Sequence, residues 1–540
     1  MSSSKDSDQP VLSSATPRPS KIRWLIFVLA CGTSFFLYLH RYTWNIIGPK
    51  IQEEFMLSEI QTGALGGFFN WTYGPGQIPS GMLCDYIGPH LFLGIIIVLW
   101  SLALPCLGLM GNYSSLAGMR FLFGATQAGA YPSLAKVSRT WFPAESRTIM
   151  QGWIATFFGR GGGFLSPIIL GTVLIGVLGL SWRAALIVLS GTGLMFGVAF
   201  LILFRNSPKS DPRVNDAERD LILDDQDRDA VDTRNVLPWS KAMKNRNMWF
   251  FVIQQFNNAG ADGFYSLFLG SYFLKTHGLA TEEAAVLIGM PLLGGSVGGM
   301  VGAYCNDILI RRTGNRRWSR TTVGFWGKAL AGVLMFVAIA QSNPVAAGLA
   351  FFVVKFFSDW SQPTVWGTCT DLGGRYSATV FSIINTAGSI AGITLPPLFG
   401  AILDRCQTTR IFDGVETTVP DFAPLLTVVA IMYFVSACCW FLIDCTKSLD
   451  RDNDSPISKE KTGLGGVTVE FLRMLLPVIG VVAGAVVPIA RAIPKLEVLE
   501  GSQWWAAFGY AALEFVSFAA IAGLAGWTIG FVINRRFGQR

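Results

Sequence analysis

The feature that most constrains this chain is a succession of apolar runs, each long enough to span a bilayer, interrupted once near the middle by a long charged stretch. The runs fall near residues 24–46, 60–81, 90–110, 114–136, 148–176 and 183–204, then near 248–273, 285–306, 321–341, 344–366, 377–403 and 422–443. Six runs on each side of one break predict an all-α polytopic membrane protein built as two six-helix bundles. Composition agrees: 51% of the 540 residues are hydrophobic and 14% charged, more apolar surface than a water-soluble fold can cover. The net charge of +7 does not point to nucleic acid, because the basic residues sit in short loops where they orient helices.

The chain divides accordingly. Residues 1–20 are polar and rich in Ser and Pro, a disordered tail followed by an uncleaved first helix. Residues 21–204 form the first bundle, 205–247 a linker, 248–443 the second bundle and 444–466 a second linker. Residues 467–540 carry two further runs, near 467–490 and 504–533, read as an added C-terminal hairpin and tail; Glu470 and Arg473 shorten the first run, which also fits an interfacial helix. The mixed charges of the central linker, among them Asp211, Arg213, Asp216, Glu218 and Arg219, predict a short solvated helix under the bundle.

Lys21, Arg23, Arg139, Arg147, Arg205, Lys209, Arg311, Arg312, Arg316 and Arg317 share one face, and Glu53, Glu54, Glu59, Glu282, Glu283, Asp413 and Glu416 the other. That asymmetry places both termini in the cytoplasm, with the chain in the cell membrane. Six of the nine cysteines (Cys31, Cys84, Cys305, Cys369, Cys438 and Cys439) lie in or just past apolar runs without paired spacing, so buried free thiols are expected rather than a disulfide framework or a metal site.

Charges inside the apolar runs carry the functional signal. Arg41, preceded by His40, and Arg120 lie well within bilayer-length segments, where an arginine is costly by about 3 kcal/mol on insertion scales. No Asp or Glu lies near either one in its own helix, so each either holds an anion through its planar fork or pairs with a group on another helix. Asp262, amid Gln254, Gln255, Asn257 and Asn258, has no obvious partner. Lys355 and Asp359, four residues apart, share a helix face and are expected to neutralise each other. Arg160 stands within Gly159-Arg160-Gly161-Gly162-Gly163, a third basic group for the cavity; the cluster lacks the Lys-Ser/Thr ending of a phosphate loop and predicts close helix contact instead.

Between the second and third runs stands Gly81-Met82-Leu83-Cys84-Asp85-Tyr86-Ile87-Gly88, and the equivalent loop of the second half reads Gly302-Ala303-Tyr304-Cys305-Asn306-Asp307 before Arg311-Arg312. This pair resembles the Gly-x-x-x-Asp-(Arg)-x-Gly signature of the major facilitator superfamily. The resemblance implies that Asp85 and Asp307 latch a cytoplasmic gate, the first weakened because Tyr86 replaces the usual arginine. Tyr73-Gly74-Pro75-Gly76-Gln77-Ile78-Pro79-Ser80-Gly81, Arg120 through Gln127 with Pro132, Trp141-Phe142-Pro143-Ala144-Glu145-Ser146-Arg147, Tyr272 to Gly278, and Asn385-Thr386-Ala387-Gly388 to Pro396 narrow it to the anion:cation symporter family. They span roughly residues 24–443, and the C-terminal hairpin lies outside them.

Membership of that family would imply secondary transport of an organic anion, a sugar acid or similar carboxylate, by a monomer working through alternating access. Arg41 and Arg120 match the arginines that hold the carboxylate, and Tyr38, Tyr73, Thr364, Trp366 and Asn385 match cavity positions suited to hydroxyl groups. Proton-coupled relatives carry an acid immediately before the first arginine and another seven residues after the second. Here those places hold His40 and Gln127. Coupling to H+ or Na+ through His40 or Asp262, an uncoupled exchanger or facilitator, and a non-transporting sensor on a transporter scaffold remain open at this point. His40 itself reads equally as a proton carrier or as a neutral hydrogen-bonding residue. No nucleophile, base and orienting group occur together, so no enzyme is expected, and no cofactor is implied.

Overall fold

The structure, a computed structural model, describes residues 19–143, 149–223, 244–374, 377–412 and 415–447, with the isolated positions 242, 449 and 468. The expected tail (1–18) and C-terminal hairpin lie outside the described residues. Among the described residues twelve long helical segments follow one another: α1 Ile22–Glu54, α2 Glu59–Ile87, α3 Pro89–Leu109, α4 113–141, α5 Ile149–Val177, α6 Trp182–Leu203, α7 246–276, α8 Thr281–Thr313, α9 Arg316–Ile339, α10 344–373, α11 Ser377–Arg405 and α12 Ala423–Leu442. Their starts are written locally. Ser58 Oγ accepts from Gln61 N at 3.2 Å while Gln61 Oε1 accepts from Ser58 N at 2.9 Å, a reciprocal cap on α2. Asn112, Asn245 and Asn343 cap α4, α7 and α10 in the same way, by accepting from backbone N–H groups of the first turn.

Eight of the twelve are long and apolar enough to cross a membrane. The other four, α2, α4, α7 and α10, hold Pro75 and Pro79, Arg120 and Gln127, Asp262, and Lys355 and Asp359, although prolines and charges such as Arg41, Arg160 and Lys328 also lie in the eight. Breaks fall beside the same groups. α1 is interrupted at Tyr42 and Thr43, where Thr43 Oγ1 donates to His40 O at 2.7 Å; α4 is interrupted after Gln127 and α10 after Trp360. α5 and α7 contain wide π turns at Gly152–Phe158 and Ile168–Val177, and at Phe264–Phe268 and Tyr272–Thr276.

The two sets of six helices meet through α2 against α11 and α5 against α8. Close approach needs glycine: between the halves a Cβ at Gly289 would fall 2.5 Å from Phe164 O, and within them one at Gly162 would fall 2.1 Å from Phe35 O and one at Gly298 2.0 Å from Phe356 O, the close helix contact expected of the Gly159–Gly163 cluster. At the end away from the central linker the sets are pinned. Lys275 Nζ reaches Glu59 Oε1 at 2.5 Å and Gln52 Oε1 at 2.6 Å, and Asp404 accepts from Glu59 N and Ile60 N at 2.9 and 3.0 Å. Asn45 bridges to α7 as well, donating to Tyr265 O at 3.1 Å. At the linker end Ile78, Met82 and Tyr86 of α2 and Tyr304 of α8 are exposed.

Two expectations need correction, and one short hairpin adds to the expected all-α architecture. The linker helix exists, at Asp216–Leu223, but it is not simply solvated: Glu218 is fully buried and accepts from Ile22 N (2.9 Å), Arg23 N (3.2 Å) and Ser20 Oγ (2.5 Å). It caps the first turn of α1, where a carboxylate meets unpaired N–H groups and the positive end of the helix dipole. The loop between α11 and α12 is an antiparallel hairpin, β1 Gln407–Phe412 paired with β2 Val415–Pro420. Of the six cysteines expected to be buried, Cys438 is exposed, because a lipid-facing surface of α12 lies outside the packed core; the other five are buried.

Candidate functional site

Arg41 and Arg120 come together around one ring. The Arg41 guanidinium carbon lies 4.8 Å from the centroid of Phe69 and that of Arg120 5.5 Å. Tyr73 (4.4 Å) and Tyr38 (5.3 Å) complete an aromatic wall around Arg41, and Trp44 lies 4.3 Å from Arg120. Arg41 Nε donates to Gln127 Oε1 at 3.1 Å, and Gln127 Nε2 in turn donates to Leu37 O at 3.3 Å. Arg120 donates through Nε to Leu65 O and through Nη2 to Gly66 O, both at 3.1 Å. Neither arginine forms an ion pair among the described residues, and Nη2 of Arg41 is buried without a hydrogen-bond partner. Arg120 is therefore braced by helix carbonyls, one of the alternatives open from sequence, whereas Arg41 keeps part of its fork free. With Gln127 in a place where a carboxylate would neutralise Arg41, the pair stays doubly positive.

A second charged group lies on the other side of Tyr38. Arg160 Nε meets Asp359 Oδ2 at 2.7 Å, and its Nη2 lies 3.8 Å from Asp262 Oδ2. Lys355 Nζ bonds Asp359 Oδ1 at 2.8 Å and also pairs with Asp262. Lys355 and Asp359 do neutralise each other, but within a network of four. Asp262, without an obvious partner in sequence, has two, supplied by α5 and α10. Lys328 of α9 is fully buried beside them, its Nζ donating to Asn258 Oδ1, to Ser358 O (2.8 Å) and to Ser358 Oγ (2.9 Å).

His40 is not brought to this cavity. It is fully buried toward α6, where a Cβ at Gly193 would fall 2.3 Å from His40 Cε1 and 2.5 Å from Ser101 Oγ, and its ring lies edge-on to Phe36. Adjacent residues on a helix diverge by about 100°, so Arg41 facing the aromatic wall turns His40 away from it. Asn385 crosses from α11 to α2 and donates to Gln77 Oε1 at 2.5 Å. Trp366 packs edge-on against Phe381 at 6.0 Å, and Thr364 is fully buried; the arginine contacts come instead from α1, α2 and α4. Asp307 is exposed and accepts from Asn306 Nδ2 at 3.2 Å; the side chain of Asp85 lies outside the described residues. Carboxylates that join helices are found elsewhere: Asp371 accepts from Arg320 Nε (2.7 Å) and Arg316 Nη1 (3.2 Å) at the linker end, and Glu59 and Asp404 act at the opposite end.

A family model described as Major Facilitator Superfamily matches residues 29–396. The chain belongs to the major facilitator superfamily. A relative from Cupriavidus necator named as a probable sulfoacetate transporter is 29% identical over 387 residues, covering 71% of this chain and 88% of that one. A Bacillus subtilis protein named as a probable galactarate/D-glucarate transporter is 27% identical over 424 residues (74% and 90%), and the hexuronate transporter of Escherichia coli K12 is 24% identical over 394 (72% and 90%). Among solved structures, a bacterial homologue of the human lysosomal transporter Spinster, inward-facing and occupied, aligns with a TM-score of 0.60 at 14% identity, over 81% of this chain and 99% of that one. At that identity the likeness speaks for the fold alone: this superfamily member is a multi-pass membrane protein.

Sequence reasoning does not single out Lys328, Lys275, Glu59 or Asp404. For Lys328 the signal is present, a lone lysine inside the run 321–341. For the other three it is not, because loop-end charges look alike until the helices that pair them are known.

Proposed function

We propose that this chain is a secondary transporter of an organic anion bearing a carboxylate, a sugar acid or a similar compound. The relatives' names point to that class, but the observation that carries the reading is the arginine pair: two guanidinium groups at one ring, enclosed by aromatic faces, without a carboxylate between them. A planar carboxylate fits the free fork of Arg41, and tyrosine and amide groups serve its hydroxyls. Alternating access follows from the gates. With the N-terminus in the cytoplasm, the end closed by Glu59, Lys275 and Asp404 is the external one, and the linker end, where Ile78, Met82, Tyr86 and Tyr304 are exposed, is the internal one. The test is uptake of a labelled sugar acid into proteoliposomes, expected in the wild type and lost in Arg120→Lys; equal uptake by that variant would overturn the clamp.

A second reading, exchange without ion coupling, is favoured by Gln127 in an acid's place and by His40 facing away from Arg41. Counterflow that proceeds without an imposed pH or sodium gradient supports it. If coupling exists, Asp262 is its site, since its side chain is 29% exposed whereas that of Asp359 beside it is 2% exposed.

A further inference from the structure

Away from the helix ends, where buried acids such as Glu59 and Glu218 have their own partners, the charges inside the described helices do not balance. Around the aromatic wall Arg41, Arg120, Arg160, Lys328 and Lys355 stand against Asp262 and Asp359 among the described residues. Uncompensated charge taken out of water is costly, so the cavity sits at a positive potential that an anion relieves. A more highly charged anion relieves it further.

The excess is also spread along a wall. Tyr38 faces Arg41, and its Cδ2 lies 3.5 Å from where a Cβ on Gly159 would stand, one residue before Arg160. Tyr42 stacks on Tyr38 at 5.6 Å and packs against Gly163. The rings thus run from one guanidinium to the other. Arg160 holds its two acids unequally: Asp359 is tight at 2.7 Å with its side chain 2% exposed, whereas Asp262 stands off at 3.8 Å, too far for a hydrogen bond. Asp262 has Lys355 as a second partner, and the terminal nitrogens of Arg160 make no hydrogen bond among the described residues. Lys328 adds positive charge behind them, without a carboxylate of its own among the described residues.

We infer that the substrate is a short-chain dianion, with one carboxylate on Arg41 and Arg120 and a second acidic group on the outer fork of Arg160, where Asp262 yields to it and stays with Lys355. The inference rests on the anion-transport reading above and narrows it from acids in general to α,ω-diacids, aldaric acids included, over monoacids of the same chain length.

The test is affinity of the purified full chain for matched pairs, a hexonate against the corresponding hexarate and simple mono- against dicarboxylates of equal length. The diacid should bind at least about tenfold more tightly, one charge-assisted contact's worth. Arg160→Gln should lower diacid affinity far more than monoacid affinity, and Asp262→Asn, which removes the competitor, should widen the preference; the second variant keeps the test open if the first fails to fold. Equal binding of both acids, still dependent on Arg41, overturns the dianion and leaves the anion reading standing. A diacid preference that survives Arg160→Gln and is unchanged by Asp262→Asn overturns the subsite. Binding of no pair, with Arg41→Gln indistinguishable from wild type, overturns both.

Discussion

The two buried charge groups of this protein are built on opposite plans. Around Phe69, Arg41 and Arg120 are held by aromatic faces, an amide and helix carbonyls, and no acid among the described residues answers them. Beyond Tyr38, Arg160 and Lys355 are tied to Asp262 and Asp359 across three helices from both halves of the chain. A charge matched within the protein stabilises an arrangement of helices, and removing its partner leaves a buried ion exposed to a low dielectric. A charge left unmatched stabilises nothing until a ligand supplies the opposite sign. The first group therefore reads as a binding site and the second as a latch between the halves, whose loosely held Arg160–Asp262 contact is the place a substrate's second acidic group can enter.

That contrast can be broken in four ways. The largest effect is on function: Arg120→Lys, which keeps the charge but loses the fork held by Leu65 and Gly66 carbonyls, should reduce uptake by about a hundredfold or more, measured in proteoliposomes. Next comes stability. Asp359→Asn strands Arg160 and Lys355 and should destabilise the ligand-free protein by about 3 kcal/mol, read by thermal or denaturant unfolding, with partial rescue by the further change Arg160→Met. A smaller shift, of about 1–2 kcal/mol, is expected in the balance between the two access states when Lys275→Gln removes the cross-half tie to Glu59; labelling of a cysteine placed on the closed face should rise. Smallest is the linker cap: Glu218→Gln should cost about 1 kcal/mol of stability and leave transport intact.

His40 sharpens the same comparison from the other side. Because it packs against Gly193 rather than facing Arg41, His40→Gln should leave the pH profile of uptake unchanged. A flattened profile would return the coupling role to His40 and place a proton path through α6.

Much of this was legible from residues alone, and the reasons differ by element. Arg41 and Arg120 announce themselves because an arginine inside a bilayer-length run has few bland explanations, and Gln127 stands out because it occupies an acid's place one helix face from Arg41. The network was only half legible. Lys355 and Asp359 share a face by spacing, but the partners of Asp262 come from α5 and α10, and no helix periodicity records which distant helix lies opposite. The hairpin after α11 left a local mark, Asp413-Gly414 between two Thr-rich alternating stretches, that the apolar pattern overshadows. Glu218 looked like one of many linker acids because its burial depends on where the linker folds back under α1.

The most direct test of unmatched against matched charge is a paired measurement on Arg41→Gln: the unfolding temperature without ligand, and its rise on adding the carboxylate that most stabilises the wild type. The account predicts an unfolding temperature equal to or above that of the wild type and no ligand-dependent rise. A full ligand-dependent rise, or a collapse of the ligand-free protein, would contradict it.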